Sequence, residues 1–415
     1  MRVLVMGGGV VGVTTAYQLQ LDGHDVVLLE AADAVAQETS WGNAGMIAPG
    51  HSFVWSSPKA PGILLKSLVR KDQALRFRPS LDPQLWAWSA RFLAQCTEEK
   101  ARRNTIAKHQ LATYSQRMLH ETLARESLDY DRNARGILYF YRTQASLERG
   151  VAHMQILADD GQEIEVLDRA GVLALEPALG ASNAPIAGGV YCPTDETGDC
   201  NKFTAALAAL CTRRGADIRT NTRIAALETE ADRLTGVRTE NGETLRADAY
   251  VMALGNGSAA LARTVGVTLP IYPIKGYSLT IPVGNHPAPP TVGSVDEDNL
   301  VAISRFGDRV RVTATAEFAG YDRTHKPADF AFMGRVVREL YPDGADYERA
   351  FMWAGLRPMT PDNLPVLGRK RHRNLFYNTG HGHIGWTMSH GTARLVADLV
   401  GGKQTALPGP WKEAA

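Results

Sequence analysis

The first thirty residues alternate between short apolar runs and a stretch with helical spacing. Residues 2–6 form an apolar run with the length of a buried strand, and residues 13–19 continue with the period of a helix. A second apolar run at 26–29 ends on the acidic residue Glu30. This pattern predicts a strand, a helix and a second strand, the order that is typical of a dinucleotide-binding α/β unit.

Three glycines stand between the first strand and the helix with G-x-G-x-x-G spacing, at Gly7, Gly9 and Gly12. The first permits a tight turn, the second lets backbone approach a pyrophosphate, and the third lets helix and strand pack closely. The helix N-terminus offers N–H groups and partial positive charge to phosphates. Glu30 stands where a carboxylate accepts hydrogen bonds from a ribose, which favours FAD or NAD over NADP. The alternative is a glycine-rich turn that binds no ligand.

Helical periodicity and β-forming runs alternate through the rest of the chain. Helical spacing predicts helices over 83–125, 146–159, 200–214, 328–340 and 386–400. Strands are predicted over 136–142, 187–193, 217–227, 248–255, 271–283, 299–304, 309–315 and 375–377. The strand over 217–227 is expected to join the first sheet in parallel, and Asn241-Gly242 predicts a hairpin turn. The runs between 271 and 315 predict a separate, mainly antiparallel sheet.

The length of 415 residues exceeds what one hydrophobic core usually serves, so we predict two domains. The fold class is α/β: a Rossmann-like cofactor domain and an α+β substrate domain with a mainly antiparallel sheet. The cofactor domain is predicted to be discontinuous, over 1–55, 195–265 and 350–415. The substrate domain takes the remaining segments, 56–194 and 266–349.

Composition and charge exclude several classes of function. A formal net charge of +1 gives no basis for nucleic-acid binding, and no apolar run is long enough to predict a transmembrane helix. Because the first strand begins at residue 2, we expect no signal peptide and a cytoplasmic location. The four cysteines are scattered without a C-x-x-C pair, which predicts free thiols and no zinc site.

The segment 58–79 is basic and interspersed with apolar residues. It either lies on an anionic membrane surface or forms a solvated loop with a short helix packed on the core. Both interpretations stay open, so a peripheral contact with the inner face of a bacterial cytoplasmic membrane is one prediction.

Three further segments carry candidate chemistry. Residues 38–46 are rich in small and hydrogen-bonding residues, which suit a flat ligand, although a surface loop has the same composition. Arg357 stands between a glycine and a proline that would fix its backbone, and its guanidinium offers a fork for a carboxylate. An internal ion pair is the alternative. Residues 378–385 form a second glycine-rich strand-to-helix junction; its two histidines have no evident third ligand, so no metal is predicted.

Together these segments resemble the D-amino acid oxidase superfamily of flavoproteins, and within it the bacterial D-amino acid dehydrogenases, over essentially the whole chain. The matching segments are GGGVVGV at 7–13, ETSWGNAG at 38–45, DETGDC at 195–200, YPIKGYSLTIP at 272–282, GLRPMTPD at 355–362 and NTGHGHIGWTM at 378–388. The resemblance implies non-covalent FAD and oxidation of D-amino acids to 2-oxo acids and ammonia. It also implies hydride transfer from Cα to flavin N5 and electron transfer to a quinone or another respiratory acceptor.

The resemblance also implies site residues. The adenosine and pyrophosphate of FAD would lie on Gly7, Gly9, Val10, Val11, Gly12, Glu30 and Ala31. The flavin would be lined by Thr39, Ser40, Asn43, Ala44, Gly45 and Met46. Further cofactor contacts would come from Ile224, Ala253, Leu254, Gly255 and Arg357. The pyrimidine edge would be reached by Gly380, His381, Gly382, His383, Ile384, Gly385, Trp386 and Thr387.

Four residues are candidates for binding the substrate. Arg357 corresponds to the arginine that holds the substrate carboxylate, and Tyr277 is a candidate second contact. The chain departs from the family pattern at His51, where an aromatic residue is expected, and at His383, where a small hydroxyl residue is expected. Because both stand near the expected pocket, the preferred side chain stays open, and cyclic imino acids such as proline are included.

Three rival functions remain. One is an amine or imino-acid oxidase of the same superfamily, acting on glycine, sarcosine or (hydroxy)proline and producing hydrogen peroxide. The second is a nucleotide-binding redox protein without turnover. The third, an NAD-dependent dehydrogenase, is disfavoured by the second glycine-rich junction.

Overall fold

Ten α-helices occur in the described part of the computed structural model, which comprises residues 1–67, 75–78 and 80–407. They are α1 Val10–Leu21, α2 Ala60–Ser67, α3 Pro83–Leu93, α4 Glu98–Arg125, α5 Gln144–Ala158, α6 Arg169–Leu175, α7 Cys200–Arg213, α8 Gly257–Thr264, α9 Ala331–Leu340 and α10 Gly385–Val400. The helical pattern predicted over 83–125 is confirmed as two helices, α3 and α4, because the chain breaks between them. Thr97 caps the new helix there: its hydroxyl accepts a hydrogen bond from the backbone N–H of Lys100.

The strands of the described residues form two main sheets and two small ones. The first ten strands are β1 Arg2–Met6, β2 Asp25–Leu29, β3 Met46–Ile47, β4 Leu75–Phe77, β5 Ile137–Tyr141, β6 Glu165–Asp168, β7 Gly188–Cys192, β8 Glu196–Thr197, β9 Asp217–Arg219 and β10 Ile224–Glu230. The others are β11 Arg233–Thr239, β12 Thr244–Leu245, β13 Ala249–Met252, β14 Tyr272–Pro282, β15 Gly293–Asp296, β16 Val301–Phe306, β17 Arg309–Phe318, β18 Phe351–Met359, β19 Val366–Arg369 and β20 Leu375–Thr379.

The first sheet has six strands in the order β19-β20-β13-β1-β2-β9, and all neighbours are parallel except β19 and β20. Alternate residues of β1 face two different cores: Val3 and Val5 face helices α1, α4, α7 and α10, whereas Leu4 and Met6 face the β10–β11 hairpin and α8. A parallel sheet covered on both faces needs apolar residues at every position. The predicted Rossmann-like sheet is therefore confirmed.

The second sheet has nine strands, with the path β18-β14-β17-β16-β15-β5-β7-β6 and β4 beside β17. Its pairs are antiparallel except β15 with β5 and β17 with β4, so the predicted mainly antiparallel character is confirmed. Strand β18 belongs to this sheet, because all nine of its residues pair with β14. The predicted boundary that assigned residues from 350 onward to the cofactor domain is therefore wrong for β18. The other domain boundaries stay a prediction.

Two other local predictions differ from the structure. Of the segment 217–227 only β9 pairs in parallel with β2, because the chain then turns at Asn221, which adopts φ +51° and allows β10 to start an antiparallel hairpin. Of the basic segment 58–79, residues 68–74 and 79 lie outside the described residues. None of the described helices combines the length and the apolar character needed to cross a bilayer.

Candidate active site

Four parallel strands of the first sheet end at one edge of a large cavity. The chain leaves β1 at Gly7, β2 at Glu30, β13 at Ala253 and β20 just before His381, and each of these residues lines the cavity. Ligands of open α/β sheets bind at this edge, beyond the carboxyl ends of the strands. The cavity volume of about 940 Å³ is in the upper range for small-molecule sites.

The glycine-rich turn after β1 is shaped by close backbone contacts. Gly7 has φ +110°, and a Cβ on it would lie 2.6 Å from the carbonyl oxygen of Ala253. A Cβ on Gly12 would lie 1.9 Å from the carbonyl oxygen of Gly7, so helix α1 packs against the turn only because residue 12 is glycine. Gly9 precedes α1, and the N–H of Val10 donates to the Ser40 hydroxyl (3.1 Å). The turn thus presents the N-terminus of α1 to the cavity.

Glu30 stands at the end of β2 with its carboxylate held toward the glycine turn. Its Oε2 accepts a hydrogen bond from the N–H of Gly8 (2.7 Å), and its Oε1 accepts one from the N–H of Ala32 (2.8 Å). Two backbone donors fix the carboxylate, and its remaining lone pairs are free to accept ribose hydroxyls. The geometry is that predicted from the spacing of the motif.

The loop over residues 38–46 crosses from the first sheet to the second. The Thr39 hydroxyl donates to the carbonyl oxygen of Leu356 on β18 (2.7 Å), and Asn43 Oδ1 accepts from the N–H of Gly45 (2.9 Å). The buried Arg311 of β17 donates to the carbonyl oxygen of Asn43 (3.1 Å). These bonds hold the loop against the cavity on both sides.

The junction after β20 closes the cavity from the C-terminal part of the chain. Gly382 adopts φ +63°, and a Cβ there would lie 3.0 Å from the Met359 sulfur. His381 is buried and its Nε2 bonds the Thr392 hydroxyl (2.9 Å), while burial lowers the pKa of His381 to about 3. His381 is therefore a neutral structural residue behind the N-terminus of α10.

Arg357 reaches the same cavity from the second sheet. It lies on β18 opposite Ile274, and its guanidinium covers Gly276, where a Cβ would approach Nη1 to 2.4 Å. Nη1 donates to the carbonyl oxygens of Thr315 (3.0 Å) and Lys275 (3.5 Å). Among the described residues no carboxylate pairs with Arg357, and burial lowers its pKa to about 10, so it stays charged at neutral pH. A buried guanidinium without an acidic partner is a site for an anion from outside.

A β-bulge in β17 aims one of the carbonyls that hold Arg357. Lys275 pairs with Glu317 and Tyr277 pairs with Ala314, so β17 has one extra residue at this point. Thr315, in the bulge, has φ +68°, which is an outlier for a β-branched residue. Besides the flanking Gly355 and Pro358, the ladder with β14 and this bulge hold Arg357 in place.

Aromatic residues and histidines form the wall next to Arg357. The guanidinium carbon lies 5.8 Å from the centre of the Trp55 ring, and the His383 ring stacks on Trp55 at 4.8 Å. His51 meets His383 edge to face at 5.8 Å and stacks on Tyr139. Burial, and then Lys108, lower the pKa of His51 to about 4 and hold that of His383 well below its usual value. Both histidines are neutral at pH 7.

The amine of Lys108 was missed by the sequence analysis. This residue of α4 is completely buried, and its Nζ lies 3.3 Å from His383 Nε2 and 3.4 Å from the Phe53 carbonyl oxygen. Burial lowers the pKa of Lys108 well below the ordinary value. The sequence does contain a signal for the burial of this lysine. Lys108 stands at helical spacing from Thr105 and Ala112, which are buried on the same face of α4.

Tyr277, the candidate second substrate contact, borders the cavity, but its hydroxyl does not lie beside Arg357. Tyr277 lies on β14 and pairs with Ala354 of β18, so its side chain faces the opposite side of the sheet from Arg357. Its hydroxyl donates to the buried carboxylate of Glu317, and its ring packs edge to face on Phe330. The alternation of side chains along β14 explains the difference.

Most of the predicted cofactor and substrate residues line this one cavity. Those that line it are Gly7, Gly9, Val10, Val11, Glu30, Ala31, Thr39, Ser40, Asn43, Ala44, Gly45, Met46, His51, Ala253, Leu254, Gly255, Tyr277, Arg357, His381, Gly382, His383, Ile384, Gly385 and Trp386. Four predicted residues do not line it: Gly12, Ile224, Gly380 and Thr387. Arg223 takes the position expected of Ile224, and the Thr387 hydroxyl joins α10 to the backbone of Met46 and Ala48.

These residues fit FAD. The glycine turn and the N-terminus of α1 suit the pyrophosphate, Glu30 suits the ribose, and the loop over 38–46 with the junction at 381–386 surrounds the space between the two sheets. The cavity continues from there to Arg357, which leaves room for a second, small ligand.

Comparison with known proteins gives the class to which this fold and site belong. The family of FAD-dependent oxidoreductases matches residues 2–399, and the chain belongs to this family. The resemblance noted above and the expected cofactor, FAD, are thereby confirmed.

Two curated relatives have names that are more specific than the family description. The chain is 46% identical over 403 residues to a D-amino acid dehydrogenase from Methylobacterium radiotolerans, an alignment that spans 97% of this chain and 96% of that protein. It is 44% identical over 405 residues to D-amino acid dehydrogenase 2 from Mesorhizobium japonicum, with 97% of both chains covered.

Solved structures agree in fold. Glycine oxidase from Geobacillus kaustophilus superposes with a TM-score of 0.75 at 24% identity and covers 99% of this chain and 98% of its own. Iminodiacetate oxidase from Chelativorans superposes with a TM-score of 0.74 at 18% identity and covers 98% of this chain and 97% of its own. At these identities the likeness concerns the fold alone.

Proposed function

We propose that this protein is a D-amino acid dehydrogenase that deaminates D-amino acids oxidatively to 2-oxo acids and ammonia. The names of relatives at 44% and 46% identity support the activity. The observation that carries the proposal is Arg357: a guanidinium largely removed from solvent, without a carboxylate partner among the described residues, on the cavity of the glycine turn. An α-amino acid supplies the missing carboxylate.

Arg357 binds and orients the substrate. Its hydrogen bonds to described residues use Nη1 alone, which leaves Nη2 and Nε to form a two-pronged contact with the substrate carboxylate. The carbonyl oxygens of Thr315 and Lys275 fix the plane of the guanidinium before the ligand arrives, so little reorganisation is needed. FAD, when bound, accepts the hydride that leaves Cα of the substrate.

The rest of the wall controls water and charge. Trp55, which lies under the guanidinium, and the neutral His383 beside it keep the cavity apolar around the carboxylate contact. A low local dielectric strengthens the ion pair with Arg357. The N-terminus of α10 directs its partial positive charge to the same space and favours negative charge on a bound cofactor.

The electron acceptor is proposed to be a quinone or another respiratory acceptor at the cytoplasmic face of the membrane. What supports a peripheral membrane contact is the set of exposed apolar side chains within and just after the basic segment 58–79. Leu65 is 68% exposed, Leu81 is fully exposed and Trp86 is 51% exposed. Exposed apolar groups next to basic residues are typical of proteins that lie on anionic bilayers.

The activity is tested by turnover of D- and L-enantiomers with purified holoenzyme. A soluble quinone analogue serves as acceptor, and 2-oxo acid, ammonia and hydrogen peroxide are measured with and without air. We expect product from D-amino acids alone, quinone reduction in equal amount, and little peroxide in air. Turnover of L-enantiomers, or of glycine, sarcosine or proline with stoichiometric peroxide, would contradict the proposal and identify an oxidase.

A further inference from the structure

The cavity beside Arg357 continues into a pocket with apolar walls, which we call the apolar subsite. Its walls come from the segment before α2, from α2 itself, and from α3 and β17. The residues that line it are Trp55, Leu64, Trp88, Phe92, Ala316 and Phe318. They pack in one cluster with Ile274, which lies directly opposite Arg357 in the sheet, so the pocket begins at the carboxylate anchor.

The packing of these aromatic rings makes the wall rigid. Trp88 and Phe92 stack at 5.1 Å with an angle of 15°, and Phe318 lies 5.9 Å from Trp88. The only polar atom of the Trp88 side chain is already paired, because its Nε1 donates to the carbonyl oxygen of Met359 (2.9 Å). The wall therefore offers apolar surface and no hydrogen-bond partner from its indole.

Positively charged substrate side chains find no free carboxylate among the described residues that line the cavity. The carboxylates that line the cavity among the described residues are those of Glu30 and Glu38. Glu30 accepts backbone N–H groups at the nucleotide end, and Glu38 pairs with Arg323. A lysine-like or arginine-like side chain would thus lose its hydration without gaining a counter-charge.

The two histidines that line the opposite side of the cavity offer no charge to a substrate side chain. The His383 ring covers one face of the Trp55 indole, and Lys108 Nζ lies 3.3 Å from Nε2 of that histidine. His51 and His383 are both neutral, so they provide no charge for an acidic side chain. On the other side of Arg357, the apolar subsite offers apolar surface.

We propose that the apolar subsite receives the substrate side chain and selects D-amino acids with large apolar or aromatic side chains. This inference rests on the proposed function and names its substrate class. Each apolar group that moves from water into the pocket favours the complex, whereas a charged or very small side chain gains little.

The first test compares kcat/KM for D-phenylalanine, D-leucine and D-methionine with that for D-alanine, D-glutamate and D-lysine. We expect kcat/KM for the large apolar substrates to exceed that for D-alanine by about tenfold or more. It should exceed the values for D-glutamate and D-lysine by a larger factor. Equal values, or a preference for D-alanine, D-glutamate or D-lysine, would overturn the inference.

Variants of the apolar subsite test whether its walls cause this substrate preference. Ala316→Leu narrows the subsite and should lower kcat/KM for D-phenylalanine about tenfold more than for D-alanine. Phe92→Ala widens it and should favour D-tryptophan over D-leucine relative to the wild type. Leu93→Ala is the matched control, because Leu93 follows Phe92 on α3 and is 46% exposed; its substrate ratios should equal those of the wild type. An unchanged D-phenylalanine to D-alanine ratio in Ala316→Leu would contradict the inference.

A binding measurement separates this inference from the proposed activity. Unreactive carboxylates, phenylacetate and acetate, are titrated into the holoenzyme while the visible flavin spectrum is recorded. Phenylacetate should bind about tenfold or more tighter than acetate, and Ala316→Leu should reduce this advantage. Equal affinities would overturn the subsite. If no D-amino acid were oxidised while phenylacetate kept its advantage, the proposed function would fail and the subsite would stand.

Discussion

Arg357 and Lys108, two basic residues of the site, differ in how burial affects their protonation. Arg357 keeps its charge although it is buried, and it lacks a carboxylate among the described residues. Lys108 is also completely buried, and its amine has, within the described part of the chain, His383 and the Phe53 carbonyl as partners. Because a delocalised guanidinium loses its proton much less readily than an ammonium, Arg357 stays charged, whereas burial lowers the pKa of Lys108 well below its ordinary value.

The state of Lys108 gives a prediction about stability and pH. Its pKa is lowered in the folded protein, so below the ordinary lysine value the unfolded chain binds a proton that the folded chain releases, which destabilises the fold. This cost is present at pH 7 and disappears as pH rises toward ~10.5. Lys108→Met removes this cost, so its gain in Tm over the wild type should be larger at pH 7 than at pH 10.

The control for Lys108→Met is Lys202→Met. Lys202 is a more exposed lysine whose amine donates to Asp129 (2.7 Å), and its pKa is raised by this bond. Its removal should not raise Tm at either pH. If the Tm difference between Lys108→Met and wild type were the same at pH 7 and pH 10, Lys108 would not change protonation on folding, and the interpretation would be wrong.

At the scale of elements, local patterns predicted the nucleotide turn well and the substrate strand poorly. The three glycines and Glu30 lie within thirty residues of one another, so Gly7, Gly12 and Glu30 were identified from spacing alone. Strand β18 contains glycine and proline and pairs with β14 some eighty residues earlier, and the bulge at Thr315 depends on that pairing. Such long-range partners leave no periodic signal in a single sequence.

The glycine turn can be tested with two glycine substitutions that differ in their surroundings. Gly7→Ala forces φ +110° on alanine and places its Cβ 2.6 Å from the Ala253 carbonyl oxygen, so FAD occupancy should fall severalfold. Gly23→Ala, at φ +78° with nothing within 4 Å of its Cβ, should retain full FAD and lose about 1–2 kcal/mol of stability. The ratio of absorbance at about 450 nm to protein absorbance reports FAD occupancy. Full occupancy in Gly7→Ala would refute this assignment of the turn.

At the scale of the whole molecule, the site exists because the two sheets meet along β18. The carbonyl oxygen of Leu356 accepts hydrogen bonds from Thr39 (2.7 Å) and Asn256 (2.8 Å), which both belong to loops at the edge of the first sheet. The next residue is Arg357. The contact between the sheets therefore fixes the anchor for the substrate relative to the cofactor residues.

The sequence analysis found both sheets and the cavity residues but misassigned the strand that joins them. Composition and periodicity distinguish a parallel from an antiparallel sheet. They do not show to which sheet a single strand between two domains belongs. The residues around Arg357 suggested a carboxylate site, and the resemblance gave it the substrate. The resemblance also suggested Tyr277, whose position on the opposite face of β14 only the strand register reveals.

The central claim, that Arg357 holds the carboxylate of a D-amino acid next to FAD, is tested most directly by anaerobic flavin reduction in a stopped-flow instrument. Arg357→Met should raise the apparent Kd for the D-amino acid on the order of 100-fold and slow reduction, because a charge-assisted contact is lost. The control is Arg323→Met, which removes a cavity arginine already paired with Glu38 and should change both values little. An Arg357→Met enzyme that retains FAD and is reduced with the wild-type Kd and rate would contradict the account.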